Sequence, residues 1–387
     1  MKVSFIATVY NEEASVGELL KSLIRQSEKP DEIIIVDGGS TDNTLSVISN
    51  CKSQISDKQI GFKVLIRKGN RAVGRNEAVK NASNEIIICS DAGCVLDKNW
   101  IRNIVKPFNS SNIDVVAGYY KGNGKTIFQK CLTPYALVMP DKVDKNKFLP
   151  ATRSIAFRKS IWRKAGGFPE EFSNNEDYVF AKRLKSINAN IIFERKAIVY
   201  WTPRGNLKEA FTMFYRFAKG DCESRIFRPK VILIFLRYII GFALLFLFFV
   251  SKSYVILNAL YLILLAYILW SVIKNYRYVK DIKAIFYSPL IQITSDVAVI
   301  LGTINGLLTD RLRIVVEGTF YTLIVYAIIL LNFRQLRSFF SPPKAIEGDI
   351  VGFAQYYGYS LYFETIIFLV FVLSPIVVFF ILSGVRK

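Results

Sequence analysis

The 387-residue chain contains no histidine. Any proton removed during a reaction near neutral pH must therefore go to Asp, Glu or a less usual base. Cysteine is scarce. Cys51, Cys89, Cys94, Cys131 and Cys222 form no CxxC pair and no disulfide-like spacing, which argues against structural zinc and for a reducing compartment. No GxGxxG follows the first strand-like run and no GxxxxGK[ST] occurs, so dinucleotide-binding and P-loop readings fall away. There is no Lys/Arg block interleaved with aromatics. The net charge of +20 is thus not a nucleic-acid footprint, and basic residues beside apolar runs fit the positive-inside rule instead. No signal-peptide pattern opens the sequence: Met1-Lys2 runs straight into an alternating strand, so the N-terminal part is expected on the cytoplasmic side.

What is present is a strongly apolar chain (52%) whose excess lies in the second half as long runs, the signature of a membrane region. The first half alternates strands with amphipathic helices: Val3–Val9, a helix carrying Val16, Leu19, Leu20, Leu23 and Ile24, strands at Ile33–Val36 and Phe62–Ile66, and a helix over Ala72–Ala82. That order indicates βαβ units and a mostly parallel sheet. Glu85–Cys94 (EIIICSDAGC) reads as a central strand covered on both faces, ending in Asp91, Ala92 and Gly93. Open α/β sheets bind ligands at such strand ends, and two small residues let a diphosphate approach the backbone. A plain helix cap is the other reading of Asp91. Thr8, Tyr10 and Glu12 leave the first strand and Asp37 the second. Tyr10 can stack on a base, and Glu12 or Asp37 can accept from base or ribose. Arg71 and Arg75 can reach phosphate oxygens, while Arg75 on a solvated helix face and Glu12 as a first-turn carboxylate are the structural alternatives.

Asn175-Glu176-Asp177-Tyr178 opens a helix whose Val179, Phe180 and Leu184 bury one side. Without histidine, this acidic pair is the best candidate for a general base acting on a hydroxyl. A capping cluster is the alternative. Residues 121–150 have weak periodicity with several Pro and Gly, as expected of a loop-rich acceptor region. Arg153 reads either as facing donor phosphates or as structural.

The segments VSFIATVYNEEASVGELLKSLIRQSEKPDEIIIVDGGSTDNT and GRNEAVKNASNEIIICSDAG, then Gly166-Gly167-Phe168 and Asn175-Glu176-Asp177, resemble the nucleotide-sugar-binding half of family 2 glycosyltransferases with the GT-A fold. The resemblance covers about residues 1–205. It implies nucleotide contacts from Thr8, Tyr10, Glu12, Asp37 and Asp91, with Ala92 and Gly93 beside the diphosphate. It further implies a Mg²⁺ or Mn²⁺ ion at Asp91, inverting sugar transfer, and Asp177 of the ED pair as catalytic base beside Glu176. Two positions depart from the family pattern. Gly38 replaces the second acid of VDDGS, and Gly93 replaces the second acid of the DxD metal motif. The ED pair favours a hydroxyl acceptor over a polyprenyl phosphate.

Residues 206–230 read as an amphipathic helix, with Leu207, Phe211, Phe214 and Ala218 on one face, followed by the basic Arg225, Arg228 and Lys230. An interfacial helix and a buried core helix both fit. In residues 231–387, Val231–Val250 and Tyr254–Ile273 are clear spans. Arg237 costs about 3 kcal/mol at mid-bilayer, which its apolar neighbours outweigh. Leu290–Leu308 is marginal because its apolar residues barely offset Gln292, Asp296 and Asn305; with Gln292, Asp296 and Thr303 on one helical face, it reads as a span with a polar seam or as a re-entrant element. Asp296 is a candidate for function, or for a helix–helix hydrogen bond. Ile314–Leu331 and Tyr362–Leu382 complete four or five crossings. The expectation is an α/β GT-A catalytic domain followed by an α-helical transmembrane region: a multi-pass cell-membrane enzyme with its catalytic domain in the cytoplasm. Its partners would be a nucleotide-diphosphate sugar, a lipid-linked or membrane-presented glycan, and membrane lipids, with no nucleic acid. A polyprenyl-phosphate sugar synthase and a catalytically silent nucleotide-binding membrane module are the alternatives.

Overall fold

Alternate side chains of the first strand bury on opposite faces of one sheet: Phe5 and Ala7 on one, Ile6 on the other. Burial of both faces explains the unbroken apolar runs of the inner strands. The computed structural model describes residues 1–54, 60–145, 148–226 and 228–308. The expected spans at Ile314–Leu331 and Tyr362–Leu382 lie outside these residues.

In chain order the elements are β1 (Val3–Val9), α1 (Val16–Ile24), β2 (Glu32–Asp37), α2 (Thr44–Ser53), β3 (Gly61–Ile66), α3 (Arg71–Asn81), β4 (Ile86–Cys89), β5 (Cys94–Leu96), α4 (Trp100–Val105) and β6 (Val115–Gly122). They continue with α5 (Ile127–Ala136), β7 (Ile155–Arg158), α6 (Lys159–Lys164), α7 (Glu176–Ser186), β8 (Ile191–Trp201), α8 (Leu207–Glu223), α9 (Pro229–Ser251), α10 (Tyr254–Val279) and α11 (Ala284–Leu307).

The sheet order is β3-β2-β1-β4-β7-β6-β8-β5. The first four strands are parallel. β7 then runs antiparallel to both β4 and β6, β8 runs parallel to β6, and β5 closes the edge antiparallel to β8. The sheet is Rossmann-like in its first half and mixed in its second. Helix α3 lies close on β1, because a Cβ at Gly74 would stand 2.8 Å from Thr8 Cγ2.

Residues 121–150 hold a helix that composition hid. Thr126 caps α5 by accepting from the Gln129 backbone N–H, and the Gln129 side chain bonds back to the Thr126 backbone. The T-x-x-Q capping box was visible in the sequence. Pro134 inside the helix masked it.

Met1–Thr303 forms one compact unit and Ile304–Lys387 a second. Helices α9, α10 and α11 are each long and apolar enough to cross a membrane. Within the first unit, α8 buries Ala210, Met213, Phe214 and Ala218. The third apolar helix covers part of this face: a Cβ at Gly302 would lie 2.4 Å from the Tyr215 carbonyl oxygen.

At the opposite end of the sheet from the strand C-termini, Glu32 is buried. It accepts from Ser4 Oγ at 2.6 Å, Lys63 Nζ at 2.6 Å and the Ser83 backbone N–H at 2.9 Å. Burial alone would raise its carboxyl, but Lys63, Ser4 and Ser83 outweigh burial and hold it at about 2. A carboxylate depressed on folding adds stability above its unfolded pKa, and that stability is lost as pH falls through the folded value. Glu32→Gln should therefore lower the thermal midpoint of the detergent-purified protein at pH 7. The gap to the parent should narrow as pH drops from about 4 toward 2; a gap constant over that range would show that Glu32 is held by packing alone.

Candidate active site

Parallel strands place their C-terminal ends on one edge. Asp37 closes β2, and Asp91 lies two residues beyond β4, with β1 between them. The two ends are thus separated by two strand spacings, about 10 Å.

At the β4 end the sequence has built a buried charge bridge. The Arg75 side chain, on α3, is sealed from solvent, the whole residue being 1% exposed. Its Nη1 donates to Glu176 Oε1 at 2.6 Å and its Nη2 to Asp91 Oδ1 at 2.9 Å. Arg75 therefore does not project to the surface to meet phosphate, as the sequence suggested; both of its terminal nitrogens are engaged by carboxylates. Glu176 is equally buried, and its bond to Arg75 makes it a partner of the bridge rather than an accessible acid. The guanidinium also lies 5.7 Å from the Phe168 ring.

Asn76, the next residue on α3, pins the segment preceding α7. Its Oδ1 accepts from the Phe168 backbone N–H at 2.8 Å and its Nδ2 donates to the Phe168 carbonyl at 2.8 Å. Phe168 then packs on Phe180 of α7 with ring centroids 4.2 Å apart. Adjacent residues of α3 thus fix both the charge and the position of the α7 N-terminus. Asn175, whose left-handed backbone precedes α7, does not cap the helix with its side chain. It donates instead to Asp221 Oδ1 of α8 at 2.7 Å, and Asp221 is itself held by Arg228 at 2.5 and 2.8 Å.

Asp177 follows Glu176 and is partly exposed. Burial raises its carboxyl, the Glu176 carboxylate raises it further, and Arg75 opposes both. Asp91 shows the reverse balance. Burial would raise it, but Arg75, Arg153 and Arg71 together hold it below the usual carboxylate range. Two acids of one site are thereby driven apart, one kept ionised and the other made more basic.

Asp37 is closed to solvent. Its Oδ1 accepts from the Gly39 and Ser40 backbone N–H groups, each at 2.7 Å, while its Oδ2 has no partner among the described residues. Tyr10 stands 60% exposed. It flanks Gly38, where a Cβ would come within 3.5 Å of the Tyr10 side chain. Glu12 lies ahead of α1, whose first-turn acid is Glu18, and it accepts from the Ser15 hydroxyl. Thr8 lines the junction with α3, and exposed Arg71 opens that helix. Ala92 is buried, and a Cβ at Gly93 would meet no atom within 4 Å. Open space therefore lies above the turn after Asp91.

The donor set around Asp91 does not fit a resident Mg²⁺ or Mn²⁺. Among the described residues no three His, Cys, Asp or Glu side chains gather there, so without a bound diphosphate the protein offers an ion Asp91 alone. Gly93 supplies no ligand. The thiols of Cys89 and Cys94 are both pushed up to about 12, chiefly by burial, so neither is the thiolate a metal binds. Asp91 Oδ1 is already met by the Arg75 guanidinium.

The parallel first half and mixed second half of the sheet are those of a GT-A fold. In comparison with known sequences, residues 4–163 match the model of the family described as glycosyl transferase family 2. The chain is 26% identical over 239 residues to the poly-beta-1,6-N-acetyl-D-glucosamine synthase of Staphylococcus epidermidis, covering 59% of this chain and 57% of that protein. It is 28% identical over 212 residues to the poly(ribitol-phosphate) beta-N-acetylglucosaminyltransferase TarS of Staphylococcus aureus, covering 53% and 36%. The chain thus spans about half or less of these relatives. In fold it resembles the mannosyltransferase PcManGT of Pyrobaculum calidifontis, solved with GDP-Man and Mn²⁺. The TM-score is 0.52 at 17% identity, over 79% of this chain and 87% of that one.

Removing one partner of a buried bridge leaves uncompensated charge, at a cost of about 3–5 kcal/mol. Arg75→Met should therefore lower the unfolding midpoint sharply. Arg75→Lys, which cannot span both carboxylates, should fall between it and the parent. Equal midpoints for all three proteins would show that Asp91 and Glu176 do not depend on the bridge.

Proposed function

We propose that this protein is a membrane-held inverting glycosyltransferase. It moves a sugar from a nucleotide-diphosphate donor to a hydroxyl of a lipid-linked or membrane-presented glycan. The observation that carries the reading is the bridge Asp91–Arg75–Glu176, which sets an ionised carboxylate at the β4 end beside the more basic Asp177. The names of the relatives, both enzymes of glycan polymers, support the reaction class.

In this reading Asp37 accepts a hydrogen bond from the base or ribose through Oδ2, whose lack of a partner among the described residues supports the role. Tyr10 covers the base, and Thr8 and Glu12 shape the pocket floor. Ala92 and Gly93 form the backbone turn over which the diphosphate lies, with Arg71 at its rim. Arg75 and Glu176 act as positioning residues that touch neither substrate. Asp177 accepts the acceptor's proton as the hydroxyl oxygen attacks the anomeric carbon and the bond to the diphosphate oxygen breaks. Attack opposite the departing diphosphate inverts the anomeric configuration. A carboxylate of raised pKa is the stronger base for that transfer.

Among the described residues three apolar helices follow the domain, and Arg225 and Arg228 just before the first, with Lys230 in its first turn, support membrane attachment with the catalytic domain on the cytoplasmic face. The hydroxyl acceptor is supported by the presence of a base, which a phosphate acceptor would not need.

The test is Asp177→Asn. Sugar transfer should fall by about 10²–10⁴-fold, while nucleotide binding measured by calorimetry stays within about threefold of the parent. Transfer at the parental rate would remove Asp177 from the chemistry. A product linked through its anomeric carbon to phosphate would replace the glycan acceptor by a polyprenyl phosphate.

A further inference from the structure

Arg153 stands between β4 and the substrate edge with an unspent charge. Among the described residues its guanidinium donates no hydrogen bond and makes no ion pair. It is held instead between two aromatic faces, 5.2 Å from the Trp201 ring and 5.5 Å from the Tyr120 ring. Such faces orient a guanidinium without consuming its N–H donors. Its neighbour Thr152 bonds Asp91 Oδ2 at 3.5 Å, and its own carbonyl accepts from Ser90 at 2.8 Å, so the backbone is tied to the β4 end. Its field acts on both Asp91 and Asp177. A free, partly exposed cation therefore lies beside the two acids of the site, where Gly93 leaves open space and the donor set fails to build a metal site.

We infer that Arg153 takes the place of a resident divalent cation: its guanidinium binds the diphosphate of a nucleoside-diphosphate sugar and balances the charge that develops as that group leaves. The inference rests on the glycosyl-transfer reading above. The planar fork of five donors matches two phosphate oxygens at once. In the transfer step the bond between the anomeric carbon and the diphosphate oxygen breaks, the electron pair stays on that oxygen, and Arg153 meets the new negative charge. The acceptor oxygen forms the new bond, and its proton goes to Asp177. No metal is required for this balance.

The experiment is calorimetric titration of the full chain in detergent with UDP and with GDP, in excess EDTA and again in Mn²⁺. Uridine and guanosine serve as controls. The better-bound diphosphate should bind in EDTA within about threefold of its affinity in Mn²⁺. Arg153→Met should weaken it at least tenfold, as expected when a charge-assisted hydrogen bond is lost, while leaving the matching nucleoside nearly unchanged. Arg153→Lys should recover part of the affinity, and parental unfolding midpoints would certify that both variants fold. A strict Mn²⁺ requirement in the parent, or unchanged diphosphate affinity in Arg153→Met, overturns the assignment while leaving a donor site in place. Failure of the parent to bind either diphosphate under both conditions overturns the donor-site reading itself.

Discussion

One guanidinium holds the working edge of this protein together. Arg75 joins the end of β4 to the start of α7 by bonds of 2.9 and 2.6 Å, linking residues 16 and 101 positions away from it. Without it, Asp91, Glu176 and Asp177 would crowd three acids into one partly buried corner, an arrangement that repels itself and resists ionisation. With it, Asp91 is held ionised, Glu176 is paired with the Arg75 guanidinium, and Asp177 keeps only a partly opposed push upward. The division of labour among three similar side chains thus comes from where a single cation can reach.

The same logic recurs among the apolar helices. Asp296 of α11 accepts from Arg237 of α9 at 2.7 Å, from Tyr267 of α10 at 2.8 Å and from Gln292 at 2.7 Å. Arg237 lies over the Tyr267 and Trp270 rings, and Lys274 bonds Gln292. Taken singly, Arg237 and Asp296 are each costly in an apolar segment; taken together they tie three helices around one buried carboxylate. Helix α5 meets this bundle through the Phe128–Tyr287 ring contact and the Tyr135 bond to Ser288. The catalytic fold and its apolar helices therefore share packing inside the first unit.

The inner strands β1, β2 and β4 were legible because they are buried on both faces and run out into polar or acidic residues. Ile86–Ile88 followed by Asp91 could be placed from sequence, as could the polar seam of Gln292, Asp296 and Thr303. Contacts between distant positions were not legible. Arg75 sits on a helix where local pattern offers a solvated face or a phosphate contact, and only the tertiary fold brings Glu176 onto it. Glu176 and Asp177 look alike as neighbours; a rotation of about 100° along a helix turns one into the bridge and leaves the other facing the open edge. A capping cluster was the alternative reading at the start of α7, yet the Asn175 side chain bonds Asp221 of α8 instead of capping the helix. The antiparallel strands β5 and β7 are three and four residues long, too short for alternation to stand out.

The central claim is that the bridge tunes Asp177, and the acid limb of the pH–rate profile reads that tuning most directly. Replacing Glu176 by Gln removes the neighbouring negative charge and frees Arg75 to act on Asp177 more strongly. Both changes favour the ionised form of the base. The account predicts that the acid limb of kcat/KM for sugar transfer moves to lower pH in Glu176→Gln than in the parent. An acid limb that stays in place, or moves to higher pH, would contradict it.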